Sequence, residues 1–133
     1  MIERKSSAPS LDAWLREAKR ESGAEDCGMY LFHNGVVRRS ARAKVRLGDE
    51  SAPDVRGLRL SCDEEALEQA LAQARALPGI RYARAWVNSG ELAVGDDMML
   101  VLVGGDIRPR VIEALQRLVE AIKTRCVTET ELS

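Results

Sequence analysis

The 133-residue chain has few of the residues that build metal centres and disulfide frameworks. It has one histidine and three widely spaced cysteines, Cys27, Cys62 and Cys126, with no Cys-x-x-Cys pair. These counts argue against a zinc site and a disulfide framework, so we expect no metal, no cofactor and a reducing compartment. Aromatic residues make up only 4% of the chain, so Leu, Val, Ile and Ala must supply most of the core.

A net charge of one sign and long apolar runs are also lacking. The formal net charge of −1 supplies no global field that would attract nucleic acid or an anionic membrane, so any anion site must be local. The first residues, MIERKSSAPS, have no apolar stretch of the signal-peptide kind, and no run reaches membrane-spanning length. We therefore expect a cytoplasmic protein with neither a nucleic acid nor a membrane as its partner.

Three segments carry apolar residues at the three-to-four-residue spacing of amphipathic helices. The first follows Ser10, whose side chain can cap it. The second follows Ser61 and Glu64, whose spacing is a capping-box signature, and it stops at a Pro-Gly pair. The third covers residues 111–122 and has Lys123 at its C-terminal end.

Other segments are rich in β-forming or apolar residues and predict strands. They lie at residues 28–37, 55–61, 80–87 and 98–103. The charged stretch 38–47 is interpreted as a second, exposed strand or an arm, and residues 88–97 as a glycine-bearing connection. From residue 55 the order is β-α-β-β-α, with the strand at 28–37 available to complete the sheet.

This order predicts an α+β fold in which helices pack on one face of a mainly antiparallel sheet. The length fits one domain covering residues 1–133. Within it we expect an N-terminal helical segment at residues 1–23 and a short tail at residues 127–133.

The segment VGGDIRPRV, residues 103–111, is a candidate anion site because two glycines lead into a helix. A helix N-terminus carries about half a positive charge, which Arg108 and Arg110 would reinforce for a phosphate or a carboxylate. Alternatively, the glycines only turn the chain, Asp106 caps the helix, Pro109 rigidifies its first turn and both arginines are solvated.

Four further side chains allow both a functional and a structural interpretation. Arg38 and Arg39 follow a strand, from where a guanidinium can reach a bound anion or simply meet water. Alternation places His33 on the same strand face as Leu31, where an imidazole can be catalytic or merely packed. Lys123 is either a cap that complements the helix dipole or a functional amine.

Three segments together resemble one protein family. GELAVGDDMMLVLVGGDIRPRVIEALQRLVEAIKT is similar to the C-terminal half of the large, catalytic subunit of molybdopterin synthase. The upstream segments GMYLFHNGVVRR and LRLSCDEEALEQAL extend the resemblance over about residues 24–126 without large insertions. Each motif is weak alone, but their order and spacing are fairly specific.

The resemblance implies an α/β-hammerhead fold and a homodimer that binds two copies of a small ubiquitin-like sulfur carrier, giving a heterotetramer. It also implies a role in molybdenum cofactor biosynthesis. In the family's reaction, sulfur moves from the carrier's C-terminal thiocarboxylate onto cyclic pyranopterin monophosphate to form the dithiolene of molybdopterin. Such chemistry needs cations for the phosphate and a lysine near the thiocarboxylate.

Residue by residue, the resemblance implies that Lys123 is catalytic, since it matches the lysine of the family's I-K-T. Arg38 matches the arginine after the Gly-x-Val stretch, and Arg108 the arginine that opens the last helix. Together with Arg39 and His33, these two arginines form the expected substrate-binding set.

The chain also departs from the family's pattern. Ile107 stands where the family has a histidine, His33 where it has an aromatic residue, and Thr130 where it has a second catalytic lysine. The alternative is therefore a non-catalytic paralogue that binds the carrier or an anionic ligand without turnover. A third interpretation, an RNA-binding α+β domain, lacks the aromatic pair expected on the strand MMLVLV.

Overall fold

The computed structural model describes residues 7–133, which contain four α-helices and six strands. The helices are α1 (Leu11–Ala18), α2 (Arg42–Arg46), α3 (Glu64–Arg75) and α4 (Arg108–Ala121). The strands are β1 (Met29–Val36), β2 (Gly57–Cys62), β3 (Ile80–Val87), β4 (Gly90–Ala93), β5 (Asp97–Gly105) and β6 (Val127–Leu132). A 3₁₀ turn, Ala24–Asp26, precedes β1, and a π-helical turn, Ile122–Cys126, joins α4 to β6.

The strands form two three-stranded sheets, with orders β1-β5-β3 and β4-β2-β6. Every pairing in them is antiparallel, so the predicted α+β class with mainly antiparallel strands is confirmed. The strand predicted at residues 28–37 completes the first sheet as β1, which pairs with β5.

The main core lies between the first sheet and the long helices α3 and α4. On this face β5 contributes Met99, Val101 and Val103, all fully buried, and α4 contributes Leu118 at 2% exposure. β5 is covered on both faces, which explains why its sequence is a continuous apolar run rather than an alternating one.

The opposite face of the first sheet holds every aromatic residue of the chain. Helix α1 packs there through Trp14 and Ala18. The other aromatic side chains are Tyr30, Phe32, Tyr82 and Trp86. The Arg84 guanidinium lies 4.3 Å from the centre of the Trp14 ring and 2.5 Å from Glu17, which ties α1 to β3. Of the predicted helical segment 1–23, residues 1–6 lie outside the described residues, which begin at residue 7.

The prediction of a tail at residues 127–133 is wrong, because this segment forms β6. Its residues pair with β2 from Cys62↔Val127 to Gly57↔Leu132. Alternating β-branched and polar residues suit a strand that is half covered. β6 and β4 flank β2, whose Leu58 and Leu60 form a second small core with Leu92 and Met98.

Three local predictions also need correction. The stretch 38–47 contains the short helix α2 rather than a strand, and buried Ala41 precedes it. The connection at 88–97 contains β4. Helix α3 is capped by Asp63, whose Oδ1 accepts from the Ala66 N–H at 3.1 Å, because Ser61 is still part of β2.

Candidate functional site

A cavity of about 200 Å³ lies where the end of β1, α2, the π-helical turn and β6 meet. Its lining includes three of the five side chains expected from the sequence, His33, Arg38 and Lys123. Met98 and Met99 of β5 are among its apolar lining. A larger groove of about 610 Å³ between α3 and α4 contains none of the five, so the smaller cavity is the candidate site.

Lys123 owes its position to the π-helical turn at the end of α4. The Val127 N–H donates to the Ile122 carbonyl, five residues earlier, which widens the last turn by one residue. Ile122 and Cys126 are buried on either side of this turn, at 0% and 4% exposure. The half-buried Lys123 is thereby held at the cavity, where the next strand begins.

His33 lies on β1 and lines the same cavity. Its Nε2 is buried and has no hydrogen-bond partner among the described residues. Burial, and secondly the charge of Lys123, lower the pKa of His33 below its ordinary value of 6.5. The imidazole is therefore neutral near pH 7, beside a cationic amine.

The two adjacent arginines after β1 have different surroundings. Arg38 lines the cavity. Arg39 is outside its lining: the side chain is 77% exposed, and its Nε lies 3.6 Å from Asp54 Oδ2. The chain bends at Arg39, and the side chain of Arg39 contacts Asp54, so only Arg38 of the pair reaches the site.

Arg108 lies at the other end of the molecule. It is the first residue of α4, whereas Lys123 follows the end of this helix. Fifteen residues at 1.5 Å per residue place the two backbones about 22 Å apart. Arg108 is exposed and does not line the cavity of its own chain.

The structure favours the local interpretation of the segment 103–111. A Cβ added to Gly104 would lie 2.5 Å from the Tyr30 ring, so this glycine is required by packing rather than by a ligand. Asp106 accepts from the Ile107 N–H at 2.7 Å and pairs with Arg110 at 2.8 Å. Asp106 was expected to cap α4, but the N-cap position of this helix is Ile107.

Four charged residues of the cavity were not predicted from the sequence. Arg42 and Arg46 come from α2, and Glu129 and Glu131 come from β6. The Arg42 side chain lies 3.2 Å from Glu129, and its backbone N–H donates to Glu131 at 2.8 Å. Two spacings in the sequence could have indicated these residues. The arginines from Arg38 onward recur every four residues, as on one face of a helix, and the glutamates are two residues apart, as on one face of a strand.

The charges of this lining favour an anionic ligand. Four cationic side chains face two carboxylates, and Arg42 engages both of those carboxylates through its side chain or backbone. The remaining cations can bind a phosphate or a carboxylate, in line with the expectation that any anion site of this chain is local.

Comparison with known families decides the assignment. The sequence profile of the family described as "MoaE protein" matches residues 6–125. The chain belongs to the MoaE family. The family predicted from the sequence is thus confirmed, and with it the assignment to molybdenum cofactor biosynthesis. The match ends immediately before Cys126 and β6, so the two glutamates of the cavity lie outside it.

Solved structures support the same fold. The chain is similar to molybdopterin synthase from Staphylococcus aureus, with 19% identity and a TM-score of 0.70 over 95% of this chain and 87% of that one. Molybdopterin cofactor biosynthesis protein E from Burkholderia multivorans has 22% identity and a TM-score of 0.70, covering 94% and 82% of the two chains. A complex of subunits 1 and 2 of molybdopterin-converting factor from Helicobacter pylori has 19% identity and a TM-score of 0.64, covering 91% and 74%.

One further comparison and two structural features gave negative findings. No curated protein matches the chain by sequence. Within residues 7–133, every helix is too short or too polar to cross a membrane. The same residues contain no group of three His, Cys, Asp or Glu side chains arranged to hold a metal ion.

Proposed function

We propose that this MoaE-family chain is the catalytic subunit of a molybdopterin synthase. It transfers sulfur from the C-terminal thiocarboxylate of a small ubiquitin-like carrier to cyclic pyranopterin monophosphate, in the cytoplasm. The observation that carries this proposal is the meeting of His33, Arg38 and Lys123 in one cavity of the family fold. These residues come from separate parts of the chain, so their convergence is a property of the fold.

The proposed division of labour follows from the chemistry of each side chain. The Arg38 guanidinium binds the phosphate of the precursor, for which its fork of donors is suited. The Lys123 ammonium lies near the thiocarboxylate and stabilises the negative charge that develops on the acyl oxygen. Glu129 and Glu131 are held by Arg42, which keeps their carboxylates from occupying the anion site.

The partner follows from the same proposal. The structure from Helicobacter pylori is described as a protein–protein complex of subunits 1 and 2 of molybdopterin-converting factor. We propose that this chain likewise binds a small sulfur carrier and forms a homodimer within a heterotetramer. Because Arg108 is about 22 Å from Lys123 of its own chain, it acts in the site of the second copy. Ile107 and Ile112, exposed by 51% and 37%, provide apolar surface beside Arg108 for that contact.

The test is reconstitution with a thiocarboxylated carrier and the pyranopterin precursor, with dithiolene product as the measurement. The wild-type chain should form product, and Lys123→Met should reduce the rate by about 10²-fold or more. Arg125→Met is the matched control, because Arg125 is an exposed residue of the same turn that contacts Gln73 in the other groove. If no product forms with a carrier that supports another synthase, the proposal is wrong.

One observation favours the alternative of a non-catalytic carrier-binding protein. Lys123 is the sole amine in the described lining of the cavity, and Thr130 lies on the strand face opposite to Glu129 and Glu131. The alternative predicts a stable complex with the carrier, measured by calorimetry, that Lys123→Met leaves intact and that yields no product.

A further inference from the structure

We propose that His33 is a catalytic base of this cavity, which accepts a proton from the water molecule that cleaves the acyl–sulfur bond. The inference rests on the proposed function and assigns a proton-transfer role within the same site. It goes beyond substrate binding, the role that the family resemblance implies for this residue.

The position of the imidazole is the first support. His33 and Lys123 line one cavity, from β1 and from the π-helical turn. Nε2 of His33 is buried without a hydrogen-bond partner in the described structure. A ring nitrogen buried beside Gly35 and without a partner costs free energy, so the ring lacks the satisfied hydrogen bonds of a purely structural histidine.

The second support is that the other titratable groups of the cavity are poorer acceptors for this proton. Arginines stay protonated in proteins, which excludes Arg38, Arg42 and Arg46. The carboxylates of Glu129 and Glu131 are engaged by Arg42.

The remaining elements around the ring leave His33 as the acceptor. β5 presents Met98 and Met99, which do not titrate, and the π-helical turn presents Lys123, whose ammonium group has donors and no acceptor. Among the described lining, this leaves His33 as the group that can be a base near pH 7.

The proposed step is the hydrolysis of a thioester between the carrier and the pterin. After the carrier's sulfur has bonded to the pterin precursor, the carrier's acyl carbon still holds that sulfur. The oxygen of a water molecule bonds to the acyl carbon while one of its protons moves to Nδ1 of His33, since the fully buried Nε2 is out of reach of water. The carbon–sulfur bond then breaks, its electron pair stays on the sulfur of the pterin, and the carrier leaves with a carboxyl group. The imidazolium finally gives its proton to solvent or to the new thiolate.

The environment of the ring sets the pH dependence. Burial first, and then Lys123, lower the pKa of His33. The base is therefore present at neutral pH and is lost as the pH falls through this lowered pKa. The rate should show an acid limb at a pH below 6.5, the ordinary value.

The kinetic test compares His33→Gln with the wild type. Glutamine is polar but cannot accept the proton, so kcat should fall by about 10²-fold or more, and the acid limb of the pH profile should disappear. Asn34→Ala is the matched control on the same strand, since Asn34 is exposed and lies outside the cavity. Its rate and its acid limb should equal those of the wild type.

A spectroscopic test avoids any variant at His33 itself. Because the chain has a single histidine, the imidazole resonances of the untagged, isotope-labelled protein belong to His33 alone. They should titrate below pH 6.5 in the wild type and at a higher pH in Lys123→Met. A histidine that titrates at its ordinary value in both proteins would overturn the proposal.

The outcomes separate the two proposals. If the wild type forms no product, the synthase function fails, and the role of His33 fails with it. If the wild type forms product and His33→Gln keeps both the rate and the acid limb, only the role of His33 is overturned. Loss of the limb together with the shifted titration in Lys123→Met supports the base.

Discussion

The identity of the residue that caps α3 can be tested by mutation. The sequence predicts that Ser61 and Glu64 cap this helix, whereas in the structure Asp63 does so and Ser61 pairs with Thr128 within the second sheet. The two interpretations assign the stabilising side chain to different residues. Asp63→Ala and Ser61→Ala should therefore have unequal effects.

The magnitude follows from two contributions. Losing an N-cap side chain costs about 1 kcal/mol. Losing a carboxylate at a helix N-terminus costs about 0.3 kcal/mol here, at the low end, because Glu64 and Glu65 still face the helix dipole. At an unfolding entropy of about 2.1 cal/mol/K per residue, the 133 residues give about 0.28 kcal/mol/K. Asp63→Ala should thus lower Tm by about 5 °C.

The assay is thermal unfolding followed by circular dichroism at pH 7. Asp63→Asn separates the contributions, because it keeps the capping acceptor and removes the charge, and it should lower Tm by about 1 °C. Ser61→Ala should change the free energy of unfolding by less than about 0.5 kcal/mol. A loss from Ser61→Ala as large as that from Asp63→Ala would refute the reasoning and restore the capping box.

Four further predictions concern the core, the C-terminal strand and the thiols. Leu118→Ala should cost about 2–5 kcal/mol in urea unfolding, whereas Gln116→Ala on the exposed side of the same helix should cost less than about 1 kcal/mol; equal losses would contradict the core. Deleting residues 127–133 should lower the urea midpoint markedly, because it removes β6 from β2, and an unchanged midpoint would restore the tail. Burial raises the pKa of Cys62 to about 11, so its contribution to stability is complete below pH 9 and is lost as the pH rises from 9 to 11; Cys62→Ala should flatten the stability curve over that window. Thr130→Lys should not raise synthase activity, because this side chain lies on the strand face away from the cavity, and a gain in product would mean that the strand face is misassigned.

Local patterns predicted much of the fold. The β-forming and apolar residues of 80–87 and the apolar run of β5 were sufficient to place both strands, because burial against a helix or a sheet leaves a local trace in the sequence. β6 was missed because its glutamates resemble a solvated tail. Their pairing with β2 joins segments about seventy residues apart, which no local pattern reports.

The candidate site shows the same division between local and long-range information. His33, Arg38 and Lys123 were predicted individually as site residues, and the fold brings them to one cavity. Arg39 was expected beside them, but the chain bends at this residue, and Arg39 contacts Asp54 instead. Glu129 and Glu131 were absent from the expected site because their position depends on β6, which the sequence analysis did not predict.

The placement of all aromatic residues on one sheet face has a practical consequence for optical measurements. Trp14 and Trp86 both belong to the layer between α1 and the first sheet. The intrinsic fluorescence of the protein therefore reports this layer alone, and the emission of Trp14, stacked under Arg84, follows the detachment of α1. A ligand that enters the cavity beside Lys123 can bind without an optical signal, whereas a fluorescence-detected transition marks the opening of the opposite face.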